Sequence, residues 1–572
     1  MSTRIRILVV PATRRWLALA FAAVGVLVSW QAAGVVGSWL PLDAPAPGTN
    51  AGHMLLLSDA TVMVQQGLTY SWWRLTPGSN GGYTNGTWTP LSPMSTSRKF
   101  YSSDVLPDGR IFIAGGEHNN LVQTNNAEIY NPLNDSWNLT PSAGDVNFSD
   151  SESMVLSDGT VLVHPVNSGT YAAKVNLIYN PALNSWIVGP TNIGPPNEAS
   201  WVKLPDDSIL MVDRGTTSSE RYIPSLNQWI TDADVPVALF TNGETGAAFL
   251  LPDSRAFFLG ASGHTALYSP SGTTNLGSWA AGPDIPDGRF ADDAPAAMMN
   301  NGKILCVVGT NAPNGGSTGS LWFVEYDYSI GTTGAFQRTS SPTDSTVDSF
   351  LRAASYDLSM LDLPDGTVLF SKGNGTPDPS GLLYVYKPGT SPLAAGKPTI
   401  TGITTKIAGV SYHLTGTKLN GISAGAAFGD DAQMDSNYPL VRLTDSGGNV
   451  YYARTYNWSS TGVMTGTTPV TTEFDVPGSV PPGTYSLVVV ANGNPSAPVS
   501  FTYNGPVWVD FNYKFGPENG SYAQPYDTLA KGTNNVPSGG TIAIKPGSSL
   551  ETMTIGKPMT ITAVGGSATV GH

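Results

Sequence analysis

The chain has 572 residues, too many for one hydrophobic core, so two to four domains are expected. Charged residues make up only 12%, with 64 Gly and 44 Pro, and the aromatic content and regular alternation exclude a disordered chain in favour of a turn-rich all-β protein. A formal charge of −14 without a basic stripe argues against nucleic acid as a partner.

Arg4, Arg6, Arg14 and Arg15 precede an apolar run from Trp16 to Trp30, and small residues Ala32, Ala33 and Gly34 follow. This pattern predicts a signal peptide over residues 1–34 and a secreted or cell-surface protein. Membrane association is expected only if the segment stays uncleaved. Cys306 is the one cysteine, which rules out an intramolecular disulfide and a Cys-based zinc site; it reads as a small buried strand residue.

A repeated unit then dominates the chain. A short apolar run, a Pro-Asp-Gly-type turn and a second apolar run recur, as in Leu351–Phe370 (LRAASYDLSMLDLPDGTVLF). The pattern is that of two strands joined by a tight turn. The turn residue falls at Asp59, Asp108, Asp158, Asp206, Asp253, Asn301 and Asp365, spaced by 49, 50, 48, 47, 48 and 64 residues. Seven units of about fifty residues predict a seven-bladed β-propeller over 37–390. Each second half adds a third strand and an outer strand starting at Trp, as in EIYNPLNDSW (Glu128–Trp137) and LIYNPALNSW (Leu177–Trp186). The indole is expected to act as a plate between blades. Blade 6 has Phe336 near that place and a Gly/Asn-rich loop at Ala312–Thr318. Blade 7 lacks an outer strand of its own, and Gly37-Ser38-Trp39 is expected to supply it, closing the ring.

Residues 391–398 read as a linker. About seven short strands over 399–504 predict an immunoglobulin-like sandwich. Gly- and Pro-broken strands over 505–572 resemble the first coils of a right-handed parallel β-helix, as in pectate-lyase-like proteins. Such coils must dock on a neighbour, self-associate or stay loosely ordered.

The repeats resemble kelch repeats, and the arrangement over Gly37–Tyr503 resembles the galactose oxidase family. That resemblance implies a kelch propeller followed by an early-set domain, and it locates a copper-radical site to test. The family's Tyr-His ligand pair before the last hairpin matches Tyr356 and Asp357, so the His is replaced. The radical-bearing Tyr after an Arg in blade 2 matches Phe100, after Arg98 and Lys99. His53 stands where the Cys crosslinked to that Tyr would be. No histidine lies between His413 and His572 to supply the further ligand of the third domain, and His413 sits in that domain's first hairpin. Phenyl neither ligates copper nor carries a tyrosyl radical. The expectation is a scaffold without copper-radical activity, without a metal and without a cofactor.

Acidic residues recur ahead of the turns: Glu152 at −6 from the turn residue, Glu198, Asp293 and Asp357 at −8, and Glu244 at −9. In a propeller these positions gather near the axis on one face, with Arg98 and Arg352 close in sequence. Tyr356, Asp357, Arg98, Phe100, His53, Glu152, Glu198, Glu244, Asp293 and Arg352 are therefore the ligand-binding candidates. Carboxylates and guanidinium groups around an aromatic suit a glycan or a cation, and paired carboxylates suit acid–base work on glycosides; the alternative is solvated loop charges and Arg–carboxylate pairs. The sequence thus points to an exported propeller that binds extracellular polysaccharide or a cell-surface protein. A carboxylate-based carbohydrate enzyme is the first alternative and a galactose oxidase-like oxidoreductase the second. Asn85, Asn138, Asn147 and Asn457 open glycosylation sequons.

Overall fold

The computed structural model describes residues 35–571, apart from 49, 68, 119–121, 151, 168, 242–243, 311–320, 343–353, 373–380, 430–431 and 515. The signal segment 1–34, the blade 6 loop at Ala312–Thr318 and Arg352 lie outside the described residues.

The repeat begins as a local device. The turn residue's side chain accepts the N–H two positions on, at 3.0–3.2 Å, in all seven units: Asp59 from Thr61, Asp108 from Arg110, Asp158 from Thr160, Asp206 from Ser208, Asp253 from Arg255, Asn301 from Lys303 and Asp365 from Thr367. These are Asx turns, which Asp and Asn form because their short side chains reach their own backbone. The next residue takes a left-handed φ. It is glycine at 109, 159, 302 and 366, but Ala60, Asp207 and Ser254 in blades 1, 4 and 5.

Antiparallel four-stranded sheets follow, each built from an inner hairpin and an outer pair. Their inner strands are Ala51–Leu56, Ser102–Val105, Ser153–Val155, Val202–Lys203, Ala248–Leu250, Ala296–Met298 and Ser359–Asp362, buried throughout. Ser38–Pro41 pairs antiparallel with Tyr384–Lys387, placing Trp39 opposite Tyr386 on the outside of blade 7. The outer tryptophans do more than fill space between blades. Their indole N–H groups reach back across the seam: Trp39 to the Ser340 carbonyl at 2.7 Å, Trp137 to Ser92 at 2.9 Å and Trp186 to Pro141 at 3.0 Å. Trp279 donates to the Ser219 hydroxyl at 3.1 Å. Phe336 in blade 6 has no such donor.

Beyond the propeller, an eight-stranded sheet from Thr399–Ile407 to Val499–Tyr503 folds over a core of Leu414, Val441, Leu443, Phe474 and Leu487. One of its hairpins leaves it. Gly425–Phe428 and Ala432–Asp435 run into the propeller, and Ala426 and Ala427 pair with Ala297 and Ala296 on the inner strand of blade 6. The hairpin also lies against the inner strands of blades 1, 2, 3 and 7, so it fills the central channel. Small residues suit that narrow space, and a Cβ on Gly429 would meet Asp293 Oδ1 at 2.1 Å.

The last segment stacks parallel strands. Thr541–Ile544 lies between Val507–Val509 and Thr560–Ala563, while Gly547–Ser549 pairs with Ala568–Val570. Val509, Phe511, Ile542 and Ile544 form its core under the short helix Leu529–Asn535. Trp508 and Ala543 pack against Val410, so these coils dock on the preceding sheet.

Candidate functional site

The inserted hairpin sorts the predicted residues into two groups. Some hold the plug in place. Glu152 accepts from the Gln433 amide at 3.1 Å and is buried below the surface. His53 bonds Ser103 Oγ at 3.0 Å, and that hydroxyl donates to the Gln433 carbonyl at 3.3 Å. Burial pushes the His53 imidazole down to about 3, so it is neutral. Arg98 is also internal: its guanidinium pairs with Glu128 at 2.5 Å and donates to the Gly115 carbonyl at 2.6 Å.

The other group forms a collar around the hairpin's tip. Phe100, Asp150, Glu198 and Asp293 each stand eight residues before a turn residue. They sit at φ of 52°, 42°, 56° and 43°. This left-handed region costs a non-glycine residue about 1–2 kcal/mol, and Phe and Glu lack the local hydrogen bonds that let Asp and Asn tolerate it. The collar is stitched from blade to blade. The Asp150 N–H donates to the Phe100 carbonyl and the Glu198 N–H to the Asp150 carbonyl, both at 3.3 Å. The Asp293 N–H donates to Thr245, the equivalent residue of blade 5, at 2.7 Å.

The side chains share one field. Phe100 and Tyr356, from blades 2 and 7, meet edge to face with centroids 5.8 Å apart. The Lys99 ammonium lies 4.1 Å from the Phe100 centroid and 6.0 Å from that of Tyr356. Burial raises the Tyr356 phenol, and Asp357, Asp293 and Glu244 add to the rise. Burial pushes Asp150 up to about 7, reinforced by the Glu117 and Glu244 carboxylates and opposed by Ser149 and Lys99. Glu117 is raised by burial and lowered by Lys99, whose backbone it pairs with at 2.8 and 2.9 Å. Five carboxyl groups, one ammonium and two aromatic rings therefore interact at the mouth.

The structure brings together Tyr356, Asp357, Phe100, Glu244 and Asp293 there, and Glu198 joins them through the collar backbone. Sequence reasoning missed Asp150, Glu117 and Lys99. Strict −8 spacing would have selected Asp150 in blade 3 instead of Glu152. Lys99 and Glu117 are paired by a two-residue bridge that leaves no pattern in the sequence.

Seven antiparallel blades of this repeat, with the site at the axis, define a kelch-type β-propeller. Residues 99–144 match the Kelch motif family. Galactose oxidase of Gibberella zeae is 33% identical over 60 residues, 10% of this chain and 9% of that protein. An F-box/kelch-repeat protein of Arabidopsis thaliana is 42% identical over 50 residues, 9% of this chain and 12% of that protein. The chain thus spans about a tenth of the length of the curated relatives it matches. A fungal alcohol oxidase of the AA5 family, solved in complex with copper, shares the fold: TM-score 0.51 and 15% identity over 82% of this chain and 100% of that one. The chain is a seven-bladed propeller of kelch-type repeats with local sequence similarity to galactose oxidase.

Proposed function

We propose that this is an exported binding protein whose axial mouth recognises extracellular carbohydrate. The observation that carries the reading is the collar. Strained non-glycine residues recur at one rung of four of the seven blades, around an aromatic pair and converging carboxyls. Strain of this kind persists where the surrounding structure holds it for a purpose. Hydroxyl-rich ligands fit such a rim: carboxylates and the Lys99 ammonium bond hydroxyls, while ring faces cover the apolar side of a sugar. The basic, apolar N-terminal pattern supports export.

The relationship also raises copper. The described side chains at the mouth offer one phenol, carboxyls and an ammonium, and a phenyl ring at Phe100. Among the described residues no group of three or more His, Cys, Asp or Glu is placed to hold a metal ion. His53 is committed to the channel wall, His264 to Asp284, and His413 lies on the sheet beyond the propeller. This donor set does not fit a Cu(II) site, which favours imidazole and phenolate.

Glycan-array binding followed by titration tests the reading. Tyr356→Ala and Asp357→Asn are expected to weaken binding about tenfold each. Unchanged affinity in both variants overturns it. Asp150 favours a second reading, a carbohydrate-active enzyme. A carboxyl raised to about 7 with two further carboxyl groups beside it is the grouping that general acid–base chemistry uses. Polysaccharide turnover abolished by Asp150→Asn, with binding retained, would install that reading in place of simple binding.

A further inference from the structure

A buried acid pair holds the loop that leads from blade 3 to Glu198 of the collar. Asp213 follows the strand Ile209–Val212 of blade 4 and Glu220 lies in the next strand, Ser219–Ile223. They are 6% and 1% exposed, and their side chains are hydrogen-bonded to each other. A hydrogen bond between two carboxyl groups needs a proton on one of them. Two carboxylates in contact and out of water do not both ionise readily, so the pair shares one proton. Its surroundings show where that proton sits. Glu220 accepts from Asn192 Nδ2 at 3.1 Å, the Ile193 N–H at 2.9 Å and the Gly194 N–H at 3.3 Å, all on the loop. Donors of this kind favour the anion. Asp213 Oδ1 is buried with no hydrogen-bond partner, and a Cβ on Gly194 would meet Oδ2 at 1.9 Å. A carboxylate there would lack the donors it needs, so Asp213 is the acid and Glu220 the anion.

The charged groups around the pair agree with that assignment. Burial pushes Asp213 up to about 8, the Glu220 carboxylate adds to the rise, and Lys174 opposes it. Burial raises Glu220 too, against the bonds from Ile193, Asn192, Asp213 and Gly194. Lys174 also donates to the Ile193 carbonyl at 2.5 Å. His164 reaches the loop through Asn176, which donates to Asn192 Oδ1 at 2.6 Å; burial pushes that imidazole down to about 3, so it adds no charge. The loop itself is stiff. The Arg214 N–H donates to the Pro195 carbonyl at 2.8 Å, and Pro195 and Pro196 fix φ at two successive positions. Glu198 follows two residues on, with its N–H on the Asp150 carbonyl. A displacement at Gly194 therefore passes to the collar with little slack.

We propose that the proton shared by Asp213 and Glu220 is a latch on the axial mouth: while it is held, the loop 192–196 keeps Glu198 in the collar, and its loss at alkaline pH opens the loop and weakens ligand binding. The effect on binding rests on the carbohydrate reading, whereas the latch does not. Hydrogen exchange of the full chain, pulse-labelled from pH 6 to 9.5 and corrected for intrinsic rate, reads the peptide over 192–198. Wild-type protection should fall about tenfold between pH 8 and 9, the effect of one proton released on opening. Asp213→Asn keeps a donor to Glu220 without a titrating group, and its protection should stay level. Lys174→Gln removes the opposing charge and should move the loss to higher pH. Wild-type protection unchanged to pH 9.5 overturns the latch, as does Asp213→Asn losing protection in step with wild type. Glycan affinity over the same range tests the coupling. The mouth's own carboxyls titrate in both proteins, so the ratio of wild-type to Asp213→Asn affinity isolates the latch. That ratio should fall about tenfold where protection falls, and a constant ratio overturns the coupling. If neither protein binds any glycan, the carbohydrate reading fails while the exchange result still decides the latch.

Discussion

Residues with positive φ fall into two kinds in this propeller, and the difference is measurable. Ser254 occupies the glycine place of a blade turn at φ 70°, and Glu198 occupies the collar at φ 56°. Glycine adopts either conformation without the Cβ clash, at the cost of a more flexible unfolded chain. Ser254→Gly and Glu198→Gly are each expected to raise the unfolding free energy by about 0.5–1 kcal/mol in urea titrations. Only Glu198→Gly should weaken ligand binding. A loss of stability at both positions would show that neither backbone is strained. The turn residues were legible from sequence because their work is local, each side chain bonding its own backbone two positions on. Glu152 and Asp150 are two residues apart and both acidic, and only the −8 spacing of the other blades, applied strictly, tells them apart in the sequence. What separates them is the neighbouring blade's carbonyl and an amide from a hairpin 281 positions away.

At the scale of elements, the outer tryptophans were legible as plates but not as donors, since a repeat unit does not show what faces it across a seam. Trp137 donates to the Ser92 carbonyl of the preceding blade, while the Trp229 indole nitrogen is buried without a partner. Trp137→Phe should therefore destabilise the protein by about 1 kcal/mol more than Trp229→Phe. Equal costs in thermal or urea unfolding would reduce both residues to packing. The channel hairpin left still less trace. Gly425–Phe428 has no alternation of β-branched and polar residues, because its neighbours are other strands' side chains on every side rather than core and water. Small residues that look like a loop are what a filled channel accommodates. The terminal coils lie at the opposite extreme. Gly and Pro mark each strand end, so the stacked character was readable, whereas their docking through Trp508 and Val410 depends on a surface formed elsewhere in the chain.

For the whole molecule, the hairpin makes the second sheet part of the propeller's core, and it carries buried carboxyls with it. The Val105 N–H bonds Asp435 at 3.0 Å, Ser153 bonds Asp104 at 2.5 Å, and Ser436 bonds Asp362 at 3.3 Å. Lys203 donates to the Val155 carbonyl at 2.5 Å and to the Thr461 carbonyl at 2.9 Å, and its ammonium opposes the rise of Asp104 and Asp435. Burial pushes Asp104 up to about 6 and Asp362 up to about 8, and raises Asp435 as well. A carboxyl whose value is raised on folding binds its proton more tightly in the native state. Its contribution is fully present below the unfolded value near 3.8 and is lost as pH rises through the folded value. Unfolding temperature should therefore fall from pH 5 to pH 8. Self-repulsion in an acidic chain has the same sign, so the variants carry the discrimination. Asp362→Asn should flatten the profile from about pH 4 to 8 and Asp104→Asn only from about pH 4 to 6, because each slope runs from the unfolded value to the folded one. If both variants keep the wild-type slope, these carboxyls ionise without penalty, water reaches the hairpin, and the channel is not the sealed joint between the two sheets.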